Sequence, residues 1–175
     1  MVCLTKCGPV MQIAYVTENL ESALAFWTQT MGVGPFFLRQ HVKFDRMLVR
    51  GEPSRPDFSM ALAYWGNIQI ELIEQHDASP SIYADWRAAG LQGVQHLCVM
   101  VDDMAATRSL AQQRGGSIVQ EVFMPGSAGE AIYVDYGGGP GTMIEYLQLK
   151  PELSAGFDAM RLAAADWDGQ DPIRR

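Results

Sequence analysis

An internal repeat limits what this chain can fold into more than any other feature. The stretch QIAYVTENLESA, beginning at Gln12, aligns with HLCVMVDDMAAT, beginning at His96, 84 positions later. Each runs from a polar residue through an apolar segment and an acidic or near-acidic pair into the start of a helix. A second match follows in the same order: IQIELIE (68–74) lies over TMIEYLQ (142–148), which sets Glu71 on Glu145 at an offset of 74. One such match is within reach of chance. Two in the same order point to a duplicated unit, the second copy ten residues shorter.

Hydrophobic periodicity assigns the elements of that unit. Residues 10–16 read as a strand. Asn19 is placed to cap a helix running through Met31, with Leu20, Ala23, Leu24, Trp27 and Met31 on one face and Gly32 ending it. PFFLRQHV, FSMALAYW and NIQIELIE read as strands, and Gly66-Asn67 joins the last two as a hairpin. The second copy offers a strand over 94–101, a helix over 103–114 stopped by Gly115-Gly116, then SIVQEVF, AIYVDY and TMIEYLQL. The prediction is an α+β fold: two paired β-α-β-β-β modules, 10–75 and 93–150, with eight strands between them. Residues 1–9 are a leader and 76–92 a linker, with Pro80 and a short helix near Trp86. Residues 151–175 are a tail with one helical stretch over 155–165 and an acidic, mobile end.

Four polar residues interrupt these strands. Gln12 and His96 open the first strand of each module; Glu71 and Glu145 sit inside the last, between Ile70 and Leu72 and between Ile144 and Tyr146. A carboxylate in an apolar strand is costly unless pairing, protonation or a metal compensates it. Period two sets Gln69, Glu71 and Ile73 on one face, and Met143, Glu145 and Leu147 on the equivalent face. A pseudo-twofold between the modules then brings the four together on one concave surface. Three oxygens and one nitrogen suit a single divalent ion, Mg²⁺, Mn²⁺, Co²⁺, Ni²⁺ or Zn²⁺, with one or two positions left for water or substrate. Taken singly, a glutamine at a strand edge is usually solvated and a histidine usually structural; the repeat is what groups them.

Other signals are weaker. GGGPGT (137–142) precedes a strand, so it reads as a turn and not as a phosphate cradle. His41 and His76 could line the mouth of that concave surface but read as solvated. Phe36, Phe37, Phe44, Trp65 and Tyr133 read as core or as wall of that concave surface, and Arg39, Arg46 and Arg50 could meet a substrate carboxylate or phosphate but read as surface charge. Cys3 and Cys7 make a weak metal pair, and with Cys98 they form no disulfide framework. Neither a Ser/His/Asp triad nor a Cys-x-x-Cys motif stands out in the sequence.

Composition narrows the function classes. At 175 residues and 48% hydrophobic, the chain can bury a sizeable core. A net charge of −7 without a basic run argues against nucleic acid, whose phosphates need clustered Lys and Arg. The leader lacks the apolar core of a signal peptide, and no run reaches the ~18 apolar residues of a membrane span. The expectation is a cytoplasmic enzyme or binding protein.

The paired modules with Gln12, Glu71, His96 and Glu145 resemble the vicinal oxygen chelate superfamily, which includes glyoxalase I, methylmalonyl-CoA epimerases, extradiol dioxygenases and bleomycin-resistance proteins. QIAYVTENLESALAFW, MGVGPFF, IQIELIE and GVQHLCVMVDD are most similar to the glyoxalase and epimerase branch, and the resemblance covers residues 10 to 150. It implies that the two modules form an eight-stranded, metal-centred cup, with Gln12, Glu71, His96 and Glu145 as ligands, and a homodimer. It implies a lyase or isomerase in which a metal polarises a carbonyl while Glu145, with Glu71 as partner, removes the adjacent proton of a small carbonyl substrate, a thioester or thiohemiacetal among them. The epimerases more often carry histidine at the place of Gln12. Extradiol cleavage needs a two-histidine, one-carboxylate iron site, which Gln12 disfavours. The alternative is a metal-free binding or sequestering protein of the bleomycin-resistance type.

Overall fold

The computed structural model describes residues 8–175; Cys3 and Cys7 lie outside them. Eleven strands form one mixed sheet in the order β11-β2-β5-β6-β1-β7-β10-β9-β8-β3-β4. The first copy supplies β1 (Val10–Val16), α1 (Leu20–Ala25), β2 (Phe36–Arg39), β3 (Arg46–Val49), β4 (Glu52–Pro53), β5 (Phe58–Trp65) and β6 (Ile68–Gln75). After α2 (Ile82–Ala88), the second supplies β7 (Val94–Met100), α3 (Met104–Gln113), β8 (Ser117–Phe123), β9 (Gly129–Asp135) and β10 (Met143–Leu149). Helix α4 (Pro151–Ala165) and β11 (Ile173–Arg174) follow.

The sheet register carries the repeat into three dimensions. Strands β1 and β7 join the copies antiparallel, pairing Gln12 with Cys98, Ile13 with Leu97 and Ala14 with His96. A twofold between Ile13 and Leu97 exchanges these pairs. The same operation takes the parallel pairs Gln12–Gln69 and Ala14–Glu71 of β1 and β6 onto His96–Met143 and Cys98–Glu145 of β7 and β10. The β1–β7 ladder shifts register twice, once at Met11 and once at Gln95, and these positions are also related by the repeat. Each shift is a bulge immediately before a polar residue of interest, a device that re-aims side chains beside sites.

Helices divide the core into layers. On the convex face, α1 and the turn that continues it pack Leu20, Leu24 and Trp27 on Ala61, Ala63, Ile70 and Leu72, while α3 packs Met104 and Ala111 near Ile132, Val134 and Tyr146. Both helices start at repeat-related caps: Asn19 Oδ1 accepts from Ser22 N at 2.7 Å and Asp103 Oδ1 from Ala106 N at 2.9 Å. On the concave face, α2 inserts Ile82, Tyr83 and Trp86 among Ala14, Ile73, Cys98 and Tyr133. Helix α4 lies over β5 and β10, with Met160 against Leu62 and Tyr64. The cup therefore has helical covers at both ends.

Four expectations need correction. PFFLRQHV is not one strand: β2 ends at Arg39, the chain crosses the cup, and β3 pairs with β8 of the other copy. This crossing raises the strand count above eight. The first helix changes to π geometry over Phe26–Thr30, and the added residue turns Met31 out to solvent, 39% exposed, while Trp27 stays buried. The tail helix begins at Pro151, where a proline at the first turn is well tolerated. Beyond it the chain is held rather than loose: Ile173 and Arg174 pair with Phe36 and Phe37 of β2. No helix among the described residues is long and apolar enough to cross a membrane.

Candidate active site

Glu71, His96 and Glu145 meet at the centre of the concave face. Their ligand atoms lie within 4.8 Å of one another. His96 Nε2 is 3.3 Å from Glu145 Oε2 and 3.5 Å from Glu71 Oε2. The histidine is fully buried and the two carboxylates are 6% and 5% exposed. Three strands of two copies are needed to assemble them, which is why the group is invisible in any one segment.

Gln12 opens the same cavity wall. Its Nε2 donates to Gln69 Oε1 at 2.6 Å, and its Oε1, buried, has no hydrogen-bond partner among the described residues. His96 Nδ1 faces Gln95 Oε1 at 2.5 Å. An acceptor there holds the proton on Nδ1 and leaves the Nε2 lone pair for the carboxylate side, the usual arrangement behind a histidine ligand. Nε2 likewise has no hydrogen-bond partner among the described residues. Two orphaned, buried acceptors converge with two carboxylates, and this donor set fits a divalent cation.

The electrostatics agree with a cluster built around positive charge. Burial pushes the Glu71 carboxyl above its usual range, His96 opposes the shift, and Glu145 adds to it. Burial would lower His96, but the Glu145 and Glu71 carboxylates beside Nε2 outweigh it and raise the imidazole to about 9, so Nε2 faces them with a proton or with a cation. Cys98, between the clustered strands, is pushed well above the ordinary thiol value by burial and then by Glu145, so it remains a thiol. Burial also raises the Tyr133 and Tyr83 phenols, keeping both as hydrogen-bond donors.

The cavity has a volume of about 760 Å³. Tyr83 and Tyr133 stand beside the carboxylates in its wall, their hydroxyls 3.3 Å apart and the Tyr133 ring 5.1 Å from His96. Gln95, Gln69 and Tyr83 were not among the sequence candidates. Tyr83 had a signal, because Ile82, Tyr83 and Trp86 form a helical apolar stripe in the linker. Gln95 had none, since a strand of period two sends neighbours to opposite faces and only the bulge lets residues 95 and 96 meet. Of the secondary candidates, Arg39 and His41 line the cavity mouth, with His41 Nδ1 held by Asp57 at 2.9 Å. His76 bonds Ser59 Oγ at 2.8 Å, Arg46 covers the Phe123 ring, and Arg50 pairs with Asp85.

The sequence matches a family model described as the glyoxalase/bleomycin resistance protein/dioxygenase superfamily over residues 11–134. No match was found among curated proteins. Among solved structures, a hypothetical protein from Bacillus halodurans C-125 shares 15% identity at a TM-score of 0.57, covering 81% of this chain and 94% of its own. A methylmalonyl-CoA epimerase shares 17% at 0.55, covering 81% and 94%. The methylmalonyl-CoA epimerase of Mycobacterium tuberculosis shares 18% at 0.55, covering 83% and 91%. These likenesses concern the fold.

Proposed function

We propose, from the premise that the chain belongs to the glyoxalase/bleomycin resistance protein/dioxygenase superfamily, that it is a metal-dependent lyase or isomerase that moves a proton beside a substrate carbonyl. The observation that carries this reading is the buried Glu71–His96–Glu145 cluster, which opens with the orphaned Gln12 Oε1 toward a cavity of about 760 Å³. Gln12, Glu71, His96 and Glu145 would hold the ion. When bound, a divalent cation supplies Lewis-acid polarisation of the carbonyl oxygen.

The chain's own groups do the rest. Glu145 takes the proton from the carbon next to the carbonyl, leaving the electron pair delocalised onto oxygen. Glu71, whose carboxyl burial raises, returns a proton to the opposite face or to the adjacent carbon. Tyr83 and Tyr133 keep their hydroxyl protons and can donate to the substrate oxygen as charge develops there. Apolar walls exclude water from the anionic carbon. Two structures of this fold are named methylmalonyl-CoA epimerases, and a thioester is one substrate form consistent with the chemistry.

The test is proton exchange. Protein loaded with metal is incubated in D₂O with 2-methylacyl thioesters, 2-hydroxy ketones and hemithioacetals, and followed by NMR. Deuterium should enter only beside the carbonyl, and Glu145→Gln should slow its entry by about 10²-fold or more. A whole panel without exchange, despite measurable binding, would favour the metal-free binding protein instead. Undiminished exchange in Glu145→Gln would move the base to Glu71.

A further inference from the structure

The lining of the cup is sorted by polarity from its buried to its exposed residues, and that burial sets floor and mouth. At the floor are Gln12, Glu71 and Glu145. Above them come apolar groups from both copies and from α4, among them Met60, Leu62, Val122, Leu147, Phe157 and Met160. At the mouth the charged side chains are Arg39, Lys43 and Arg175, with His41 beside them. Among the described residues, the only acids that line the cavity are the two at its floor. Asp57 stands just outside, held by His41 and 3.9 Å from Lys43, and among the described residues Arg39 has no ion-pair partner. A basic mouth on a chain of net charge −7 is not a sample of the general surface.

Gly156 is the second observation. It lies inside α4, lines the cavity, and a Cβ built on it would meet nothing within 4 Å. No close backbone approach requires glycine there, although glycine inside a helix is unfavourable relative to alanine. What its missing side chain leaves open is the space under the roof of the cup.

We propose that the cup takes an amphipathic carbonyl compound: a hydrocarbon or aromatic body within the apolar walls, the carbonyl at the Glu71–Glu145 floor, and an anionic group at Arg39 and Lys43. This rests on the proton-transfer reading for which end faces the floor. The volume falls within the roughly 300–1,000 Å³ typical of small-molecule sites. A glutathione adduct fits poorly, because its peptide groups would face Met60, Leu62 and Phe157 without hydrogen-bond partners. The anion is a carboxylate of the substrate itself or a phosphate on a carrier. The two share the same recognition by guanidinium and ammonium.

Titration calorimetry on the full-length protein tests the proposal with decanoate, decyl phosphate, methyl decanoate and S-hexylglutathione. Decanoate or decyl phosphate should bind at least about tenfold more tightly than the neutral ester, and whichever binds better identifies the anion. In Arg39→Gln/Lys43→Gln that preference should fall to about onefold while the ester is unaffected, which also separates the mouth from an anion held at the floor. Gly156→Trp should weaken all the alkyl ligands about tenfold or more. Leu153→Trp, at a half-exposed position on the same wall, gives a second obstruction should the first disturb folding. Equal affinity for ester and anion, S-hexylglutathione binding as tightly as decanoate, or binding indifferent to both tryptophans would overturn the proposal. Selective binding without deuterium exchange would sink the proton-transfer reading alone; exchange without selective binding would sink only this one.

Discussion

Gln95→Leu tests whether the amide behind His96 sets the site. The substitution keeps side-chain bulk but removes the acceptor 2.5 Å from Nδ1, in a place where His96 and Gln95 are 0% and 1% exposed and water cannot substitute. A buried N–H left without a partner costs about 1–3 kcal/mol. For a chain of this size, a loss of that order lowers Tm by about 2–12 °C, at ~2–4 °C per kcal/mol. The same loss frees the imidazole to rotate, and partners of ligand histidines typically change metal affinity by ~10–100-fold. The assay is a Zn²⁺ competition titration against a chromophoric chelator, paired with thermal unfolding monitored by circular dichroism. Gln95→Glu should bind Zn²⁺ at least as tightly as the parent, since a carboxylate accepts the same proton. A Kd for Gln95→Leu within threefold of the parent, with unchanged Tm, would refute the positioning role.

Three further outcomes are expected. Protein purified without chelator should carry close to one divalent ion per chain by elemental analysis, and His96→Ala or Glu145→Ala should lose most of it. Ser81→Ala should destabilise by about 2–4 kcal/mol in urea unfolding, because Ser81 Oγ caps α2 through Tyr83 N and Ala84 N and also donates to the buried Gln75 Oε1; a loss under 1 kcal/mol would mean α2 is held mainly by Tyr83 and Trp86. Light scattering should give a homodimer, about twice 19.3 kDa, and Trp65→Arg should shift it to the single mass, since the exposed Phe26 and Trp65 flank the buried Trp27 in an aromatic cluster at the surface while the edge strands β4 and β11 are only two residues each.

What could be read from the sequence was what repeats. The offsets that set Gln12 on His96 and Glu71 on Glu145 reappear as equivalent ladder pairs, because period two and a twofold are both insensitive to the loops between strands. What escaped was what breaks the period or leaves the module. Gln95 reaches His96 because it is itself the bulged residue, and Met31 leaves its helical face through a π turn. Strand β3 was missed because its partner, β8, belongs to the other copy, and a short run such as RMLV has no strand signal of its own. Tyr83 lay in a segment read as a connector, yet α2 delivers its hydroxyl to Tyr133.

The exchange of β3 into the second copy also governs the order in which the molecule can come into being. Arg46–Val49 must wait for Gln120–Phe123 before their ladder can form. During synthesis, at about 5–20 residues per second, the first copy therefore emerges with one strand and its two-residue hairpin unsatisfied for several seconds. Half of the duplicated unit is not a smaller version of the whole. It is an intermediate with an open edge and a cleft wall still missing, and a nascent chain stalled between the copies would offer that edge to chaperones or to its neighbours on the polysome.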